Sequence, residues 1–148
     1  MANQEYLNAY KKAQLSSNSV SSSHEIVRVL MKELINSMQK IVLDIQSDKN
    51  RNIKKETHDK LDTTFDDNIN KNKSRNLSRS LSIIYGLQTS LDFDKALDIA
   101  NNLFQLYEYC RHEIIRGFSQ KIEDGIIKAI EVVMQILEGW NEIPSIEK

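Results

Sequence analysis

Three histidines, one cysteine and a short run of lysines and arginines are the residues of this 148-residue chain whose types suit chemistry. A metal centre inside a helical protein needs two ligands one turn apart on the same face, as in Glu-x-x-His. No Glu here is followed by His three residues on, no His-Glu-x-x-His occurs, and His24, His58 and His112 stand apart. A single Cys excludes a zinc ribbon, so neither a metal nor another cofactor is expected. Glu108 and His112 lie four apart and share a helix face, which fits a solvated surface pair. Cys110 continues the apolar stripe Ala100, Leu103, Tyr107 and Ile114, so it reads as a small buried residue and not as a nucleophile. Arg51 and His58 have the types of a ribonuclease-like pair, but they fall in the segment least expected to be rigid, and catalysis needs groups held in place. Lys71, Lys73, Arg75 and Arg79 could touch phosphate, yet no aromatic residue interleaves them and acidic residues precede them, so they read as a solvated helix start. No enzyme activity is expected.

The elements carrying these residues follow from composition and period. Four Gly and one Pro among 148 residues are a small fraction of the roughly 12% usual in globular proteins. Turn-rich sandwiches, barrels and glycine-rich phosphate loops are thereby disfavoured, and an all-α chain is expected. The net charge of −1 offers no global field for nucleic acid. Short apolar runs and an N-terminus without a signal sequence predict a cytoplasmic protein with no membrane insertion. One domain spans 1–148, with an N-terminal arm or short helix over 1–20 and a polar insertion or loop over 47–72. In that insertion Leu61, Phe65 and Ile69 have the spacing of a short amphipathic helix.

Ser22-x-x-Glu25 has the spacing of a capping box, after which Val27, Leu30, Leu34, Met38, Ile41 and Ile45 recur at three- and four-residue steps. Leu77, Leu81, Ile84, Leu87 and Leu91 mark a further helix. Asp92 or Asp94 is placed to cap the next, which runs through Ala100, Tyr107 and Ile114 to Gly117. Ile122, Ile126, Ala129, Val133, Ile136 and Trp140 repeat the pattern, and Gly139 with Pro144 stops it. Four amphipathic helices of this kind read as a bundle. Their stripes are wide, and Ile26, Met31, Ile35, Leu97, Leu106 and Ile115 fall on secondary faces that a four-helix core cannot wholly absorb.

Tyr10 precedes a Ser/Asn linker, Ser22-Ser23-His24-Glu25-Ile26 runs into Val29-Leu30-Met31, Leu81-Ser82-Ile83-Ile84-Tyr85-Gly86-Leu87 follows, then Ile99 through Tyr109, and Trp140-Asn141-Glu142-Ile143-Pro144 closes the series. In this order the segments resemble the FliS family of flagellin export chaperones. Leu81 to Leu87 is similar to that family's third helix and Ile99 through Tyr109 is the most specific match, while the proline usual in the cap near Ser22 is missing. The resemblance covers roughly 8–46 and 68–144 and leaves the stretch around 47–67 without a counterpart. It implies an antiparallel four-helix bundle that holds the disordered C-terminal segment of flagellin in apolar grooves. Tyr10 would act as a removable plug, and Leu30, Leu34, Leu103, Leu106 and Tyr107 as groove or groove-supporting residues. It further implies contact with an export-gate protein or a co-chaperone, and leaves monomer and homodimer both open. The alternative is a helical adaptor or regulator that binds a different partner through the bundle or its insertion.

Overall fold

A computed structural model describes residues 21–55 and 63–143, and these form α1 (Ser21–Lys55), α2 (Thr63–Thr89), α3 (Leu97–Gln120) and α4 (Asp124–Glu142). Tyr10 and the rest of the 1–20 arm lie outside the described residues. Neighbours in sequence pack as neighbours in space, α4 closes the ring against α1, and the diagonal helices α1 and α3 barely touch. Cross-helix partners give the directions. His24 meets Trp140 and Lys49 meets Glu123, so α1 and α4 run antiparallel. Asp48 meets Lys73 and Glu33 meets Arg79, so α1 and α2 do too. Cys110 Sγ lies 3.8 Å from the Ala129 carbonyl oxygen, pairing α3 with α4. The fold is an antiparallel four-helix bundle.

The periodic residues fill its core. Leu34, Met38, Ile41, Ile84, Leu87, Ile114, Ile126 and Val133 are essentially inaccessible. Each such side chain contributes about 1.5–3 kcal/mol relative to remaining in water. Met31 and Ile35, read as secondary-face residues, are also absorbed, while Leu97, Leu106 and Ile115 stay exposed.

The polar stretch sits between the first two long helices, but its described parts are helical and not loop. α1 continues through Ser47 to Lys55, and α2 already begins at Thr63, leaving 56–62 outside the described residues. Tertiary ion pairing explains why polar sequence stays helical there: Asp48 accepts hydrogen bonds from Arg51 on its own helix and from Lys73 on α2.

Helix ends differ from their sequence signals in three places. α1 starts at Ser21, before the expected cap at Ser22, and Glu25 is held forward by Arg28 at 2.9 Å. Asp92 accepts from the backbone N–H groups of Asp94 and Lys95 at 3.0 and 3.1 Å, so it organises a turn; α3 begins beyond it, after Ala96, without a side-chain cap. Gly117 does not end α3. The helix runs on to Gln120 and stops at Lys121, whose φ of 58° and ψ of 44° are left-handed. The Ile122 N–H then returns to the Gly117 carbonyl at 3.0 Å, as in a Schellman motif. Gly117 serves close approach instead: a Cβ there would lie 2.6 Å from both the Ile122 carbonyl oxygen and the Ile126 side chain.

Candidate partner-binding surface

α3 supplies the surface. Its core stripe of Ala100, Tyr107, Cys110 and Ile114 faces inward, and adjacent positions emerge on either side of that stripe. On one side Ile99, Leu106 and Glu113 recur every seven residues, which stacks them on one flank. Glu113 lies against Gly125 of α4, where a Cβ would collide with its carboxylate, so this flank borders the α3–α4 seam. Ile99 is 63% exposed and Leu106 37%, and exposed Tyr109 extends the same flank.

The opposite flank carries Leu97, Phe104, Glu108 and Ile115. Gln88 of α2 donates to Glu108 Oε2 at 2.8 Å, which fixes this side toward the α2–α3 seam. Phe93 in the connecting turn packs edge-on to Phe104 with ring centroids 6.2 Å apart, and exposed Tyr85 of α2 lines a cleft with Leu81, Gln88 and Arg111. One helix thus offers apolar side chains along two seams, with the ion pair Glu108–Arg111 on the α2–α3 flank and Glu113–Arg116 reaching out from the α3–α4 flank. Such exposed pairs contribute little stability. Arg111 and Gln88 hold Glu108 below the usual carboxylate range, so it stays charged beside the apolar flank.

The residues expected to bind a partner separate by depth. Leu106 is at the surface. Leu30 and Leu103 are half-buried and pack on the core, while Leu34 and Tyr107 are 0% and 2% exposed and lie beneath it. Burial pushes the Tyr107 phenol pKa up and the Cys110 thiol to about 12, so neither ionises near neutrality. Ile99, Tyr109 and Tyr85 were legible as apolar residues of matched segments, but nothing in their spacing marked them as exposed. Among the described residues no group of three or more His, Cys, Asp or Glu could hold a metal ion. No helix of the described residues is long and apolar enough to cross a membrane.

At the end of the bundle that carries the turn between α2 and α3, His24 and Trp140 clasp the start of α1 to the end of α4. Their rings stack at 4.8 Å; the indole N–H donates to the His24 carbonyl at 2.9 Å, and the His24 Nε2–H donates to the Trp140 carbonyl at 3.0 Å. Two of the segments that carry the family resemblance, those around His24 and Trp140, therefore touch.

The family model described as flagellar protein FliS matches residues 6–147. The chain is 27% identical over 139 residues to the flagellar secretion chaperone FliS of Vibrio cholerae serotype O1, covering 93% of this chain and 88% of the Vibrio protein. No solved structure matches.

Proposed function

The chain belongs to the flagellar protein FliS family, and from that premise we propose that it is a flagellar secretion chaperone that holds the C-terminal segment of flagellin along the two apolar flanks of α3. The observation that carries this reading is the exposure of Ile99, Leu106 and Tyr109 on one side and of Leu97 and Ile115 on the other. A monomeric domain gains nothing by leaving one helix apolar along both seams, whereas a client helix laid into each seam would cover them. A disordered flagellin end suits this site. Ordering it costs several kcal/mol, so a wide apolar contact can be formed in the cytoplasm and still be given up at the flagellar type III export apparatus. Binding and release are the whole of the task, with no catalytic step.

Leu34 and Tyr107 act in this reading as support, and Leu30 and Leu103 as the shoulder between core and client. Tyr10, on the arm, is the plug that occupies part of the surface when flagellin is absent. An export-gate protein or co-chaperone is the receiving partner.

Co-purification with full-length flagellin and with flagellin lacking its C-terminal segment tests the proposal. Full-length flagellin is retained and the truncated form is lost; equal retention of both, or of neither, overturns it.

A further inference from the structure

The near-zero net charge of the chain hides a local imbalance on the face away from α3. Lys73 turns inward to Asp48, but its neighbours do not. Arg75 and Arg79 of α2, with Asn72 and Asn76, line one wall of a cleft whose other wall is Lys40 and Leu43 of α1. An adjoining depression lined by Asn70, Lys71 and Ser74 shares Arg75 with it. From residue 72 to 79 the cleft follows α2 for about 10 Å, the length of two helical turns. The acidic side chain in its wall, Asp44, already accepts from the Asn76 amide at 3.0 Å. Arg79 pairs with Glu33, whereas Lys40, Lys71 and Arg75 make no ion pair with a described residue. Leu43, 60% exposed, stands between the charges.

This chemistry defines an occupant. A wall of cations and amide donors selects carboxylates, and a Leu among them selects a side chain that is apolar between those carboxylates. A short amphipathic helix with an apolar anchor and Glu or Asp one turn to either side meets both demands over two turns. Nucleic acid fits less well, since no aromatic side chain lines the cleft for bases to stack on. We infer that the α1–α2 cleft is a docking site for an acidic amphipathic helix of a second protein, separate from the client surface. In the ring of helices the α1–α2 cleft lies opposite the α3–α4 seam and shares α2 with the α2–α3 seam, so a chaperone carrying flagellin along the α3–α4 seam can be held there at the same time. Only this simultaneity rests on the client reading; the docking itself does not.

The probe is a labelled synthetic helical peptide with a Leu stripe flanked by Glu, followed by fluorescence anisotropy against the full chain. The peptide binds, and binding weakens as salt rises. The double substitution Lys40→Glu/Arg75→Glu weakens it by at least about tenfold, a difference of about 1.4 kcal/mol, and Leu43→Ala weakens it several-fold. Both variants melt with the parent chain and still retain flagellin, and a peptide with Lys in place of Glu does not bind. Unchanged affinity in the double variant overturns the inference. So does tighter binding of an oligothymidylate than of the peptide, or salt-sensitive self-association of the chain, without peptide binding, that the same substitutions abolish. Displacement of bound flagellin by the peptide would show that the cleft belongs to the client path and would overturn the separation of the two surfaces.

Discussion

Asp48 is 7% exposed and carries a charge all the same. Burial by itself raises its pKa, but the hydrogen bonds from Lys73 and Arg51 outweigh that effect and hold the carboxyl below its ordinary 3.8. With the native pKa below the unfolded one, the unfolded chain takes up the proton first as pH falls. The stabilisation is therefore complete above the unfolded value and is lost as pH drops through the native value. Urea midpoints of the parent chain should be level at neutral to mildly acidic pH and fall below about pH 4. Asp48→Asn should lower stability at neutral pH by about 1–3 kcal/mol, because Lys73 loses its counter-charge, and should flatten the acid limb. A variant with the parent's acid limb would assign that limb to other carboxylates. The pairing was not legible in sequence. Lys71, Lys73, Arg75 and Arg79 read as one solvated run, and only the α1–α2 register shows that Lys73 points in while the others point out.

Among the elements, α3 and α4 were the most legible, since each keeps a three- and four-residue apolar step from end to end. Their boundaries were not, because Gly117 looks like a terminator and behaves as a spacer. Gly117→Ala should drive a methyl against a backbone carbonyl that cannot move freely, costing about 1–3 kcal/mol. Gly86→Ala and Gly139→Ala, where the same atom meets open space, should raise stability by about 0.5–1 kcal/mol through helix propensity. Thermal melts of the three variants check the contrast; a stabilised Gly117→Ala would show that the α3–α4 connection yields. The described parts of the polar stretch are helical for a related reason. Local sequence there favours solvent, and it is a partner on another helix, reached by Asp48, that keeps the last turns of α1 helical.

At the scale of the whole molecule the bundle was readable and its working surface only partly so. Leu106 and Tyr107 are adjacent, both apolar and both in the best-matched segment, yet about 100° of helix rotation puts one in the core and the other on the flank. Period places a residue near the core edge; it does not place the edge. Ile99→Glu/Leu106→Glu should weaken flagellin retention by about tenfold or more and leave the melting temperature near that of the parent. Leu34→Ala should instead lower stability by about 2–5 kcal/mol through a cavity. Titration calorimetry beside a melt separates the two, and unchanged affinity in the double variant would remove this flank from the client path. Cys110 turns that separation into a clock. It is the chain's sole thiol, fully enclosed between α3 and α4 and with its pKa raised to about 12, so an alkylating reagent can modify it only when the bundle opens. Its labelling rate with and without client measures how often an unaltered chaperone opens, and any cysteine placed on the surface can be tagged while this one remains shut.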